Sequence, residues 1–309
     1  MPCVEATRQR GAAVILALIT VMLAATIAAA TIGSLGRSID SSTGLQDQSQ
    51  ARMLARGAAD WARNVLADDG MRTTVDHLGE PWAVKVPPTP VGDAEVAGEI
   101  QDWSGRFNLN NLAPEGKPDL IVAAQFARLL EALGIENARA TTLSDALLGW
   151  ISGNTDPASG SGQSRARVAA GLQAPLGPLA DLGELRLLDG MDDALLQRLG
   201  EVAVALPSPS KVNVNMASAE VIFALTSDLD MNAARVLVAE RERAWFRDIA
   251  DFSARLPYRA SASAPGGLDV RSRHFLVTGR ARYGVAVVSM EVLLDRKETW
   301  PEILWQRIP

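Results

Sequence analysis

The sequence has little of the chemistry that most enzyme sites need. It contains one cysteine, Cys3, and two histidines, His77 and His274, in 309 residues. Cys3 precedes the first apolar run, so cleavage at or after Gly11 would leave a chain without a thiol nucleophile or a cysteine-ligated metal. The histidines form no HExxH pattern, and no Gly-x-Ser-x-Gly elbow is present. A triad assembled only by the fold would leave no such pattern, so an enzyme remains an open alternative.

Clustered basic charge is also missing. The formal net charge is −6, with 30 Lys and Arg against 36 Asp and Glu. Nucleic-acid binding needs cations gathered on one surface to neutralise phosphates, so this composition argues against a general nucleic-acid binder. The hydrophobic content of 48% and the length predict a globular protein of one or two domains beyond any anchor.

The N-terminal region lacks both charge and proline. No charged residue occurs between Arg10 and Arg37, and no proline occurs between Pro2 and Pro81. Because about 20 apolar residues cross a bilayer, the segment 12–32 is long enough to be a transmembrane helix. Arginines before the span predict a cytoplasmic N-terminus, with the bulk of the chain exported.

A removable secretory signal is the alternative for this segment. The stretch "IAAATIG", residues 27–33, offers the small residues that signal peptidase prefers. The length of the apolar run and the helical pattern that follows it favour a retained anchor. After glycines at 33, 36 and 44, the spacing of Leu54, Ala58, Trp61 and Val65 predicts the buried face of an amphipathic helix.

The pattern of the remaining chain predicts strands on either side of a helical block. Alternation and turn residues predict a strand at 81–86 that ends in a turn at Pro87 and Pro88, followed by two short strands or one bulged strand at 95–112. Near the C-terminus they predict an antiparallel pair at 273–280 and 284–295 that turns near 282–284. An edge strand is predicted at 302–308. Helical periods predict helices over about 119–133, 142–151, 179–188, 192–205, 217–227 and 231–243. The helices are therefore predicted to form an insertion in an α+β head.

Two segments resemble the helix-hairpin-helix units of DNA-binding proteins. They are residues 182–206 and 211–252, and such units hold phosphate on backbone N–H groups at a glycine turn. The second turn, "TSDLDMN", has no glycine and contains Asp228 and Asp230, while aspartates also surround Gly190 in the first. Their charge would repel phosphate, so packing or protein contact is the preferred interpretation. A membrane-anchored exported DNA-binding protein is kept as the alternative function.

Asparagine and tryptophan have simpler structural explanations. The asparagines of "FNLNNL" (107–112) and "VNVN" (212–215) are predicted to cap helices or satisfy turns, although an active-site role is open. We expect five tryptophans to be core residues rather than stacking platforms: Trp61, Trp82, Trp103, Trp150 and Trp245.

The N-terminal pattern resembles the leader of a type IV prepilin. Basic residues, Gly11 and a long apolar helix are what a prepilin peptidase recognises, and the resemblance implies cleavage between Gly11 and Ala12 with the helix retained. Most members of that superfamily have Glu at the fifth mature position, which is Leu16 here. A carboxylate in the bilayer is costly unless paired, so Leu16 suggests a subunit that does not make this pairing. Its absence is typical of minor pseudopilin K of type II secretion systems, which caps the filament.

Collinear motifs support the same resemblance over nearly the whole chain. They are "DWSGRFNLNNL", "FARLLEALGI", "LSDALLGWI", "LGELRLLDGM" and "VNVNMASAEVIFAL", followed by "DF" at 251–252. The resemblance implies an α+β pseudopilin fold with a long transmembrane and amphipathic helix, a small antiparallel sheet and a large helical insertion. The implied division is a leader at 1–11, a transmembrane helix at 12–36, a stalk at 37–70, sheet segments at 71–112 and 259–309, and a helical insertion at 113–258.

The resemblance also implies location and partners. A single-pass inner-membrane protein with a cytoplasmic N-terminus and a periplasmic head is expected. The implied partners are minor pseudopilins of the I and J types, with the H type as a further candidate, together with prepilin peptidase. Contact with secreted substrates is a further implication, whereas nucleic acid is not expected as a partner.

Calcium is the cofactor that the family implies. Family members are associated with calcium bound by acidic residues of the helical insertion, and a hard cation takes about six to eight oxygens, several from carboxylates. After Trp150 and Ile151, Asp156 is the one clear anion of the matching loop, and Arg165 and Arg167 follow it. High-affinity calcium binding is therefore not expected here, although Asn154 and backbone carbonyls are alternative oxygen donors.

Overall fold

The computed structural model describes residues 6–153, 177–257, 260–262 and 267–309. Its first element is a single helix, α1 (Ala6–Arg72), of 67 residues. At 1.5 Å per residue this helix is about 100 Å long. The glycines at 33, 36 and 44 do not interrupt it. Within the described part of the chain, one helical segment is long and apolar enough to cross a membrane, Ala12–Ser34, and it is fully exposed.

A five-stranded antiparallel sheet packs on the distal half of α1. Its strands are β1 (Val86–Val91), β2 (Ala94–Asp102), β9 (His274–Tyr283), β10 (Ala286–Asp295) and β11 (Glu302–Arg307), in that spatial order. The predicted turn between the last long strands is confirmed, since Tyr283 pairs with Ala286 around Gly284. Asp47 of α1 accepts a hydrogen bond from the Val285 backbone at this turn, over 3.2 Å.

The strand predicted at 81–86 is wrong. Residues Pro81–Ala83 form a short 3-10 helix, and the strand begins at Val86 and runs through the prolines that were expected to end it. An edge strand tolerates proline because only one of its sides must supply N–H groups to a neighbour. The prediction failed because this exception depends on where the strand lies in the sheet.

The face of α1 that contacts the sheet is made almost entirely of alanine. The buried residues of this face are Ala51, Ala55, Ala59, Ala62 and Leu66. The predicted face was displaced by about a quarter turn: Leu54, Ala58 and Val65 are half-buried beside it, and Trp61 is 54% exposed. Small side chains let the helix approach closely, because a side chain on Gly279 would meet the Ala55 carbonyl oxygen at 3.4 Å.

The region between β2 and β9 is mainly helical. Among the described residues of this region, the α-helices are α2 (Leu120–Ala132), α3 (Asn137–Ile151), α4 (Asp193–Val202), α5 (Ala219–Leu225), α6 (Met231–Arg243) and α7 (Ile249–Ala254). Further 3-10 turns lie at Leu109–Leu112, Pro114–Gly116 and Leu182–Leu187. Helices predicted at 119–133, 192–205, 217–227 and 231–243 are confirmed within a few residues. The segment at 179–188 is 3-10 rather than α, and α3 begins five residues before its predicted start at 142.

Three short strand pairs join segments of the helical region to one another. They are β3 (Phe107–Asn108) with β4 (Ala203–Val204), β5 (Val212–Asn213) with β8 (Leu268–Asp269), and β6 (Thr226–Ser227) with β7 (Ser261–Ala262). Beneath them lies one large apolar core that includes Phe126, Leu129, Leu130, Leu147 and Phe246.

The asparagines act structurally, as expected. Asn108 caps the following turn by accepting from the Asn110 backbone, over 3.2 Å. The Asn110 amide donates to the carbonyls of Leu179 and Leu206, over 2.9 and 2.8 Å. Asn215 accepts from the Phe246 N–H over 2.8 Å. These buried bonds join segments far apart in sequence, which explains why amides occupy the ends of the short strands.

Three of the five tryptophans expected in the core are at least half-buried, and two are not. Trp82 and Trp150 are buried, and Trp103 is half-buried. Trp61 and Trp245 are instead largely exposed, and Trp245 stacks on His77 with ring centroids 4.0 Å apart. Periodicity locates a helix face only approximately, which is why Trp61 was placed wrongly.

A buried ionic network fastens the end of α1 to the sheet. The Arg296 guanidinium, immediately after β10, pairs with Asp69 over 2.9 Å and with Asp76. It also donates to the Ser272 carbonyl over 3.0 Å. Glu80 lies beside this pair and accepts from the Trp82 indole over 2.9 Å. Burial and the neighbouring Glu80 raise the pKa of Asp69, whereas the hydrogen bond from Arg296 opposes this rise.

Candidate partner interface

An apolar groove runs along α1 on the side facing β1 and β2. It has a volume of about 580 Å³. The helix contributes Met53, Leu54, Gly57, Ala58, Trp61, Ala62 and Val65, and the head contributes Pro81, Trp82, Val84, Val86, Thr89, Val91, Val96, Ala97, Gly98, Glu99, Ile100, Val277, Thr278 and Gly279. Such a depression, between a helix and a hairpin, suits the apolar face of another helix.

On the helix side of the groove, Gly57 leaves open space between two large side chains. Met53, Gly57 and Trp61 are spaced four residues apart, so they lie on one side of α1. No atom lies within 4 Å of the position that a side chain on Gly57 would take. Met53 and Trp61 are both more than half exposed. Exposed apolar side chains around a cleft are typical of a protein contact surface.

The charge at the rim is internally balanced. Lys85 lies 3.0 Å from Glu99, and this contact holds the pKa of Glu99 below its ordinary value. Because the charges at the rim neutralise each other, the shape and apolar surface of the walls determine which partner fits the groove. The arrangement is chemically suited to packing, because most of the lining is apolar and the lining carboxylate, Glu99, is paired with Lys85.

The predicted site residues lie elsewhere. Gly11 and Ala12 are on the first turns of α1, and Ala12 is exposed. Leu16 is 64% exposed in the apolar span. Met53 follows Gly11 by 42 residues, which separates the leader from the groove by about 60 Å. The structure therefore does not bring the leader residues together with the groove. The sequence analysis did not predict the groove. The available signal in the sequence was Gly57, a glycine within the predicted amphipathic helix, four residues before Trp61.

Three buried carboxylates form the main acidic cluster of the described residues. Oxygen atoms of Asp69, Asp76 and Glu80 lie within 4.8 Å of one another. Arg296 already neutralises two of them, so the cluster belongs to the internal network. The calcium candidate Asp156 lies outside the described residues. Residues 149–153, which lead into its loop, contain no carboxylate, and the expectation that calcium does not bind tightly there stays a prediction.

Aspartates occupy the helix N-termini where the hairpin units would hold phosphate. Asp230 caps α6 by accepting from the Ala233 N–H over 2.9 Å, and Asp192 caps α4 by accepting from the Leu195 N–H over 2.7 Å. Arg139 binds Asp192 over 3.1 Å. Both anion-binding positions are thus taken by the protein's own carboxylates, as the sequence indicated.

The architecture now defines a class of protein. A helix that begins in an apolar span and ends packed on an antiparallel sheet, with a helical insertion, is a pseudopilin fold. A solved structure supports it: a chain from the GspK-GspI-GspJ complex of the enterotoxigenic Escherichia coli Type 2 Secretion System has a TM-score of 0.73. That match has 24% identity and covers 87% of this chain and 99% of that chain.

Sequence comparison identifies the family. Two family models described as type II secretion system protein K match residues 105–208 and 212–271. Type II secretion system protein K of Pseudomonas aeruginosa is 32% identical over 288 residues, which cover 89% of this chain and 85% of the relative. The protein of that name from Klebsiella pneumoniae is also 32% identical, over 89% of this chain and 90% of the relative. The chain belongs to the type II secretion system protein K family and is a membrane-anchored minor pseudopilin of type II secretion.

Proposed function

We propose that this subunit caps the tip of the type II secretion pseudopilus and helps to initiate its assembly. Prepilin peptidase cleaves between Gly11 and Ala12, and the apolar helix stays in the inner membrane with the head in the periplasm. The partners are minor pseudopilins of the I and J types, with the H type and secreted substrates as further candidates. The role is one of assembly and involves no catalysis.

The observation that carries this proposal is the groove along α1. A companion anchored in the same membrane has its own helix beside the span of this chain, so a parallel helix would meet the groove above the bilayer. The groove is open at Gly57 and bordered by Met53 and Trp61. Burial of apolar surface there contributes roughly 25 cal/mol per Å² before the costs of association are subtracted.

The position of the helical region supports a capping role. Asp76, just after α1 ends at Arg72, donates its backbone N–H to the Val270 carbonyl over 2.9 Å. Asn213 donates to the Asp76 carbonyl over 3.0 Å. The helical region therefore adjoins the end of α1 that is distal to the apolar span. The bulk of the helical region at this end of α1, together with Leu16 in place of Glu, disfavours the addition of another subunit above this one.

Filling the groove tests the partner contact. Gly57→Leu adds a side chain into open space, so the fold should keep its stability or gain about 1 kcal/mol from helix propensity. When the I and J companions are co-expressed, we expect the variant to lose co-purification with the companion whose helix occupies the groove. Gly200→Leu is the matched control, because Gly200 is also a helical glycine with open space around it. Retention of the companions by Gly57→Leu at the level of the control would refute the groove as the contact.

The leader is tested separately by intact mass spectrometry of the membrane-extracted protein. We expect a mature chain that begins at Ala12 and an uncut chain when prepilin peptidase is deleted. A mature terminus near Ala30, with the head released from the membrane, would instead identify a secretory signal.

A further inference from the structure

The two edges of the five-stranded sheet differ in their capacity to accept another strand. The β1 edge contains Pro87, Pro88 and Pro90, which have no backbone N–H to donate. The β11 edge, "EILWQR", contains no proline. An edge without proline presents free N–H and C=O groups to any extended chain that approaches it.

The outer side of β11 is unpaired among the residues that the structure describes. Its strand partner is β10, from Glu291 opposite Arg307 to Asp295 opposite Glu302. Other backbone hydrogen bonds of the described chain do not include residues 302–307. Apolar side chains follow the edge, with Trp300 47%, Ile303 41% and Ile308 48% exposed. Asp181 approaches the end of this edge at Arg307, over 3.6 Å, through side chains only. An edge whose outer backbone groups are unpaired, with exposed apolar side chains beside it, is a template for strand addition.

This edge lies on the flank of α1 opposite the groove. Arg63 donates to the Pro301 carbonyl over 2.9 Å, and its guanidinium lies 4.9 Å from the centre of the Trp300 ring. The groove is bounded by β1 and β2, at the other end of the sheet. Arg63 follows Ser34, the end of the apolar span, by 29 residues, which places the edge about 44 Å further along the helix.

From this geometry we infer that β11 accepts an extended strand from a second companion minor pseudopilin, on the flank that the groove does not use. This inference rests on the proposed function, since it requires companions assembled beside this chain. Backbone hydrogen bonds would supply the pairing, and the exposed Ile303 would pack on the added strand.

Membrane anchoring favours a companion over a free peptide. Each new hydrogen bond contributes only about 0.5–1.5 kcal/mol, whereas free association costs about 4–15 kcal/mol. A six-residue edge is therefore a weak site for a soluble strand. A companion held in the same bilayer and rising about as far above it has a high effective concentration at this edge.

Hydrogen exchange of the full-length protein in lipid nanodiscs tests the inference. The free chain is compared with the chain co-expressed and purified with its I and J companions. We expect the fast-exchanging amides of β11 to slow by about tenfold or more in the assembly. Strand β9, in the middle of the sheet, is protected in both states and serves as the internal reference.

Two proline variants test whether slower hydrogen exchange of β11 is caused by an added strand. Successive N–H groups of a strand point to opposite neighbours, so Gln306→Pro and Arg307→Pro remove donors from opposite sides of β11. Arg307→Gln, which loses the side-chain pair with Glu291 but keeps the N–H, is the reference for Arg307→Pro, and the wild type is the reference for Gln306→Pro. The proline variant that keeps the unfolding temperature of its reference has lost an outward donor. In that variant the protection given by the companions should disappear, while co-purification through the groove remains.

The outcomes separate this inference from the proposed function. Companions that co-purify without slowing β11 exchange would overturn strand addition and leave the proposed function intact. Failure of the companions to bind at all would overturn both. Protection of β11 in the companion-free chain, rising with its concentration, would identify a second copy as the occupant and overturn the choice of a companion.

Discussion

The two larger apolar cores of the described residues differ in the side chains that their helices contribute. The interface between α1 and the sheet presents alanine at Ala51, Ala55, Ala59 and Ala62. The helical region is filled instead by large residues such as Phe126 and Leu129. Alanine sets a short distance between backbones, whereas leucine and phenylalanine fill volume. The first core fixes where a long helix lies, and the second stabilises a compact insertion.

The difference predicts opposite vulnerabilities. A large side chain that is truncated leaves a cavity, so the helical core should be sensitive to shortening. An alanine interface has little to lose by truncation but no room for growth, so it should be sensitive to enlargement. Between the two cores lies the ionic network of Arg296, which is sensitive to the loss of either charge.

The largest effect is expected where the two cores meet. Arg296→Met leaves Asp69 and Asp76 buried without their cation, which should lower the free energy of unfolding by about 3–5 kcal/mol. Urea unfolding followed by tryptophan fluorescence measures the change. Arg282→Met is the control, since it removes a largely exposed pair with Glu95 that contributes about 0–1 kcal/mol. Equal effects of the two variants would mean that the buried network does not fasten the cores together.

Truncation in the helical core should follow. Leu129 is fully buried, so Leu129→Ala is expected to lower the free energy of unfolding by about 2–5 kcal/mol through lost burial and a cavity. The same urea titration measures it. Leu120→Ala changes an exposed leucine of the same helix and should stay within about 0.5 kcal/mol. A small loss at Leu129 would show that this region repacks easily and would weaken the comparison.

A pH-dependent effect is expected at His274, at the start of β9. Burial lowers the pKa of His274 from 6.5 to about 4, with Asp295 opposing this shift and Arg273 adding to it. The unfolded chain then binds a proton that the folded chain does not, so this histidine's contribution to stability is complete above pH 6.5 and falls as the pH drops towards 4. The loss reaches about 3 kcal/mol.

His274→Leu should abolish that loss. Neither ring nitrogen has a hydrogen-bond partner among the described residues, so the variant should be at least as stable as the wild type at pH 7.5. Its advantage should grow as the pH is lowered from 6.5 to 4, measured as the difference in unfolding free energy at each pH. A constant difference across this range would mean that the buried imidazole titrates normally.

The smallest of these effects is expected from enlarging the alanine interface. Ala55 is fully buried against the sheet, so Ala55→Leu should lower the free energy of unfolding by about 1–3 kcal/mol through overpacking. Met53→Leu, on the exposed side of the same helix, should be nearly neutral. If Ala55→Leu were instead stabilising, the interface would hold unfilled space, and alanine would not be setting the distance between helix and sheet.

The sequence was sufficient for the family, the fold class and the order of the elements. Long periodic segments such as 231–243 and collinear motifs carry information that does not depend on tertiary contacts. The alanine face was missed because alanine gives a weak periodic signal and larger residues beside it, such as Leu54 and Trp61, dominate the pattern. The strand through Pro87 was missed because its tolerance comes from its position at the sheet edge.

The groove was not predictable because it is formed by segments distant in sequence. Gly57 and Gly98 face the same depression only after the sheet packs on α1. The expectations for Gly11, Ala12, Leu16 and Asp156, and for the division of the chain into domains, stay predictions.

The unbroken course of α1 has a mechanical consequence. The helix contains no proline and continues through Gly33, Gly36 and Gly44 without a break, so it behaves as one rod that bends gently. In the proposed position at the tip, force applied at the base of this helix would be transmitted along it to Arg72 and the buried charges beyond. The helical region would then move as far as the N-terminal end of α1. A displacement that begins inside the bilayer would therefore be transmitted over about 100 Å with little bending of the helix.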